Sequence, residues 1–156
     1  MKNRGFTILE VMLCVGILAG LMVGLIGVYV YCFNLQETSA NMSNAIFQVQ
    51  AKLEEIREAA ADNFNTVRSA YDNKETSLTG LNGKIRTEIP QCVYPAGANP
   101  SDCNLYDVRI IAGWSQRAGR IIGEGYLFKG AFNFRDLDRD GIIESPVEIK
   151  SSLARE

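Results

Sequence analysis

The sequence predicts an α+β chain: one long N-terminal helix that spans a membrane, continues into a soluble domain and packs there on a small antiparallel sheet. Three observations predict it. Phe6 to Phe33 is an almost unbroken apolar run, residues 46–71 repeat apolar side chains every three or four positions, and the remainder alternates short β-type stretches with Gly- and Asn-rich turns.

Length and charge narrow the function classes. The 156 residues suffice for one domain with a modest core, and 16 Lys+Arg against 18 Asp+Glu gives no nucleic-acid footprint. The chain has no histidine, which removes His-based triads, His metal ligands and the usual switch near neutral pH. No nucleophile motif stands out, and the one carboxylate cluster fits a cation better than catalysis. A non-enzymatic role is expected.

The apolar run of about 28 residues is roughly 42 Å long as a helix, against a bilayer core of about 30 Å. Lys2 and Arg4 precede it, whereas its far flank carries no base until Lys52. This asymmetry places the N-terminus in the cytoplasm and the rest of the chain outside it. A cleaved secretory signal would be shorter and would end in small residues rather than Val28-Tyr29-Val30-Tyr31-Cys32-Phe33. A lipoprotein signal at Cys14 would want a smaller neighbour than Leu13. An ordinary single-pass anchor leaves Glu10 unexplained. A carboxylate inside an apolar span costs about 2.5–3.5 kcal/mol near the bilayer centre and points to function. With no Lys or Arg in the run, its partner has to be a terminal amine or another chain.

The stretch Lys2-Asn3-Arg4-Gly5-Phe6-Thr7-Ile8-Leu9-Glu10-Val11 resembles the class III signal of type IV pilins and type II secretion pseudopilins. The resemblance implies cleavage between Gly5 and Phe6 by a prepilin peptidase, followed by N-methylation of Phe6. The apolar helix then stays attached as the filament core. Cleavage supplies the missing cation, an α-amine at Phe6 able to pair with Glu10 of a neighbouring subunit. Gly16, Gly20 and Gly24, with Gly27 following, would let membrane helices approach closely, although glycine is common in such helices in any case. The same glycines weaken the helix by about 1 kcal/mol each relative to alanine.

Beyond Asn34, the positions Ile46, Val49, Leu53, Ile56, Ala60, Phe64, Val67 and Tyr71 form one apolar face. The helix is therefore expected from Phe6 to Tyr71, packed on its own domain rather than on a coiled-coil partner. Asn73–Gly83 reads as a turn or linker. Strands are expected over Lys84–Val93, Leu105–Trp114, Arg120–Phe128 and Ala131–Phe134, with a further short one at Val147–Ile149. Ser115 to Gly119 reads as a hairpin loop, and the passage Val108–Ile122 around Trp114 is similar to the sheet of PilV-type minor pilins and minor pseudopilins. The organisation is then a leader (1–5), a filament-core helix (6–33), its amphipathic continuation (34–72) and a sheet domain (73–156).

Cys14 and Cys32 lie in the membrane run and act there as small apolar residues. Cys92 and Cys103 lie in the exported part and bracket a Pro- and Gly-containing loop, which favours a disulfide over free thiols or a two-Cys metal pair lacking further ligands. Asp136, Asp138 and Asp140 occupy alternate positions before Gly141, with the Ile142 carbonyl and Glu144 following. Such a loop gathers oxygens around calcium and resembles the short DxDxDG calcium loops. Its twelfth position is Val147 rather than a bidentate Glu, so EF-hand-style switching is not expected; the alternative is an Asp- and Gly-rich turn without metal.

The expected function is that of a minor pilin or minor pseudopilin. It would reside in the bacterial inner membrane with its C-terminus in the periplasm, and then enter a filament. Its expected partners are other subunits, a prepilin peptidase, the inner-membrane assembly platform and the membrane itself. Glu10 argues against the tip-most pseudopilin, which typically lacks this acid. The alternative is a membrane-anchored calcium-binding module that never polymerises.

Overall fold

A computed structural model describes residues 7–90, 92–93, 103–116 and 119–155 of the chain. Helix α1 runs Ile8–Tyr71 and is followed by seven strands: β1 Lys74–Ser77, β2 Asn82–Glu88, β3 Leu105–Ser115, β4 Ile121–Ile122, β5 Gly125–Phe128, β6 Ala131–Phe134 and β7 Val147–Ala154. The chain divides into two compact units, Met1–Ala40 and Asn41–Glu156. The layout of one long apolar helix leading into a small antiparallel sheet is pilin-like.

In the first unit every described side chain up to Gln36 is exposed, including Ile8, Leu13, Leu21 and Tyr29. Thr7 caps the helix: its carbonyl and hydroxyl oxygens accept the Glu10 amide at 3.1 and 3.4 Å. By length and composition the helix is able to cross a membrane.

The second unit is built on α1 from Asn41 onward. Val49, Leu53, Ile56, Phe64 and Val67 of the apolar face read from the sequence are buried, Ala60 and Tyr71 are partly buried against the same core, and Ala45 joins them. Ile46 is the exception, lying outside the contact at 38 % exposure beside Phe47 at 70 %. Asn63 leaves the helical conformation (φ −153°, ψ 88°) and interrupts the helix. The interruption does not end the burial, because Phe64 stacks on Tyr106 at 5.1 Å between ring centroids.

Strand β3 is central to the five-stranded sheet. On one side it pairs with β2, which pairs in turn with β1; on the other it pairs with β7 along its first part and β4 at its end. All these pairings are antiparallel. Alternation sorts the residues of β3 by face. Tyr106, Val108, Ile110, Ala112 and Trp114 join the helix in one core together with Ile85, Ile89, Val147 and Leu153. The odd-numbered residues face the other way, where the separate β5–β6 hairpin covers Gly113. A Cβ at Gly113 would lie 2.5 Å from the Phe132 ring, so this layer closes only over glycine.

Several element boundaries differ from expectation. Lys74–Ser77 forms an edge strand where a linker was expected, its four residues exposed. The strand expected over Lys84–Val93 is Asn82–Glu88. The one expected over Arg120–Phe128 is split at Gly123 and Glu124 into β4 and β5, which lie in different sheets. Gly123 has φ +87°, a conformation that breaks a strand. Strand β7 extends to Ala154 because its entire length finds a partner in β3.

Candidate functional site

Two places, one in each unit, carry the chemistry read from the sequence. The first is the start of α1. Gly5 and Phe6, the expected processing site, lie outside the described residues. Glu10 is exposed in the first turn of α1. Its location at the positive end of the helix dipole, three residues after the Thr7 cap, offsets part of the cost of placing a carboxylate in an apolar segment. The sequence Thr7-Ile8-Leu9-Glu10 carries this capping signal, an acid three residues after a threonine.

The second place is the acidic loop between β6 and β7. Asp136 accepts the amides of Arg139 (2.5 Å) and Gly141 (2.9 Å), Asp138 accepts that of Asp140 (3.2 Å), and Asp140 accepts that of Ile142 (2.7 Å). Arg139 (φ +65°) and Gly141 (φ +86°) turn the backbone so that these short bonds close. Among the described residues, Glu124, Asp136 and Asp138 each bring one carboxylate oxygen within 4.8 Å of the others. Asp140 and Glu144, which the sequence also offered as ligands, lie outside this group of three. Asp140 is engaged with the Ile142 amide, and Glu144 contributes its backbone, bonding Glu124 in both directions (2.8 and 3.1 Å). Ile142 likewise contributes its amide.

Glu124 was missed by sequence reasoning because it arrives from the β4–β5 bend, distant in sequence from the loop. Its Oε1 accepts the Leu137 amide at 3.3 Å and its Oε2 the Glu144 amide at 3.1 Å, so one carboxylate pins both limbs of the loop. The only local signal was Gly123-Glu124-Gly125, an acid between two glycines inside an apparent strand.

The electrostatics follow from this geometry. Desolvation pushes the Asp136 carboxyl up, but the amides of Gly141, Arg139 and Asp140 and a bond from Asp138 outweigh it and hold Asp136 below the usual range. At Asp138 the Asp140 amide acts to lower the pKa, yet desolvation, the Asp140 charge, Asp136 and Glu124 together leave it raised. Crowded carboxylates of this kind favour a proton or a cation between them. The three acids could hold a hard cation through oxygen ligands.

Behind the loop, Arg109 on β3 is largely buried and joins three elements. Its guanidinium donates to Glu148 (2.7 Å), Glu88 (3.0 Å) and the Ile143 carbonyl (2.8 Å). Hydrogen bonding to Arg109 holds Glu148 below the usual carboxylate range. The Cys92–Cys103 disulfide expected from the sequence is present, with Cα atoms 5.7 Å apart; Cys14 and Cys32 are unpaired and exposed.

Comparison of the chain with protein-family models, with curated proteins and with solved structures finds no match.

Proposed function

We propose that the chain is a structural subunit, a minor pilin or minor pseudopilin, of a type IV pilus-type or type II secretion filament. The observation that carries this reading is Glu10, the one acid in the apolar run from Phe6 to Phe33, whose helix leads into a small antiparallel sheet domain. In this reading the chain is inserted in the bacterial inner membrane, a prepilin peptidase cuts after Gly5, and the freed Phe6 amine is methylated. That amine pairs with Glu10 of a neighbouring subunit as an inner-membrane platform adds copies to the filament. The pairing removes the lone carboxylate's penalty in the apolar core and so favours assembly over the isolated subunit.

The Glu124, Asp136 and Asp138 cluster supports a calcium site in the exported domain, a property that the filament subunit and a non-polymerising membrane-anchored module would share. Incorporation distinguishes them. Glu10→Ala should insert in the membrane as well as the native chain but enter sheared filaments poorly. Normal incorporation of this variant would remove the assembly role of Glu10. Absence of the native chain from filaments in its own cells would favour the non-polymerising module.

A further inference from the structure

The β5–β6 hairpin carries an apolar tip that the filament reading does not use. Tyr126, Leu127 and Phe128 are exposed, Phe128 at 59 %, and the Lys129 ammonium lies 5.6 Å from the centre of the Phe128 ring. Lys129 and Gly130 both adopt positive φ, 49° and 81°, as in the two-residue type I′ turns that hold hairpins rigid. A fixed turn presenting an aromatic ring beside a lysine has the composition of side chains that settle at a bilayer surface, ring in the boundary and ammonium on phosphate.

The position of the tip within the second unit points the same way. Asn44 and Gln48, near the start of α1 in this unit, donate to the Thr79 carbonyl at 3.3 and 2.9 Å. Asn82, three residues further on, donates to the Gly130 carbonyl at 2.6 Å and accepts the Phe132 amide at 3.3 Å. The hairpin turn therefore lies at the end of the unit where the chain enters from the apolar run. Residues 34–40 join that end to Phe33, a tether of at most about 25 Å even when fully extended.

Charge is distributed to match. Gly125–Phe134 contains no acid, and the base of the hairpin, Gly125 opposite Phe134, adjoins Glu124 and the acidic loop. An anionic bilayer would attract the Lys129 end and repel the other.

We propose that the tip Tyr126–Lys129 docks on the lipid surface in the membrane-resident subunit, Phe128 entering the headgroup boundary and Lys129 meeting lipid phosphate. This rests on the membrane-anchored part of the function proposed above, and not on polymerisation.

The test uses the full chain in vesicles of phosphatidylethanolamine and phosphatidylglycerol whose acyl chains are brominated near the headgroup. Phe128→Trp places a probe at the tip, and the emission of native Trp114 is subtracted. Tyr31→Trp, within the apolar run, reports on anchoring. An interfacial side chain sits about 5–10 Å into the boundary, so the probe at position 128 should lose about half its emission to brominated lipid. Lys129→Glu in the same background should restore most of that emission. A probe at 128 quenched by acrylamide but not by brominated lipid, with the probe at 31 quenched by lipid, overturns the docking and leaves the anchor intact. A probe at 128 shielded from both quenchers means that protein covers the tip, which also overturns it. If the probe at 31 escapes lipid quenching, the anchored reading falls and the docking falls with it.

Discussion

Tyr106 shows how a single group can oppose the fold it belongs to. Its ring is fully buried and stacked on Phe64, yet its hydroxyl has no hydrogen-bond partner among the described residues. An unpaired buried hydroxyl costs about 1–3 kcal/mol, so Tyr106→Phe should raise the melting temperature of the unit Asn41–Glu156, and a lower one would mean the hydroxyl is satisfied. Arg109 presents the opposite case. Removing it strands Glu88 and Glu148 and releases the Ile143 carbonyl, and Arg109→Ala should cost about 1.5–3 kcal/mol in denaturant unfolding. Because Glu148 has a depressed pKa in the fold, its contribution is present above the ordinary value of 4.5 and is lost as pH falls through the folded value. The native domain should therefore lose this increment on acidification below about pH 4.5, while Glu148→Gln should show a flatter acid limb. At Asp138, where desolvation and then the neighbouring carboxylates raise the pKa against the Asp140 amide, cation binding should relieve the repulsion. Millimolar calcium should raise the melting temperature at neutral pH by an increment that Asp138→Ala abolishes. Coincident melts in calcium and in chelator would make the loop an acidic turn alone.

At the scale of elements, what was legible in the sequence is what a local period can encode. The helix from residue 8 to 71 was legible because its apolar positions recur at helical spacing, and the β3 and β6 strands because their alternation and flanking turns are local. The break at Asn63 was not, since Asp62-Asn63 sits between apolar positions that keep the helical count and only the Phe64–Tyr106 stack shows the cost being met. Lys74–Ser77 was missed because an exposed edge strand has no apolar alternation to reveal it. Likewise Glu124 joins the acidic cluster through a turn, a relation that spacing along the loop does not contain. The Gly113 contact is equally non-local. Gly113→Ala places a methyl against Phe132 and Phe134 and should destabilise the domain by about 1–3 kcal/mol, which urea unfolding would read. Unchanged unfolding would mean that the hairpin shifts freely over the sheet.

At the scale of the molecule, the chain joins a helical segment whose apolar side chains are exposed from Ile8 to Leu35 to a domain with its own apolar core. The exposed apolar surface of the first unit and the buried face of α1 in the second are two uses of one helix, separated near Ala40. The disulfide closes a loop whose reduction should lower stability by about 2–3 kcal/mol without altering the first unit. In the proposed reading this helix is a filament core from which a prepilin peptidase removes the leader. The most direct measurement is N-terminal mass analysis of the full chain after co-expression with a prepilin peptidase. The expected result is loss of Met1–Gly5 and a methylated Phe6 at the new terminus, with the apolar run retained. An intact Met1, or a terminus beyond Phe33, would contradict it.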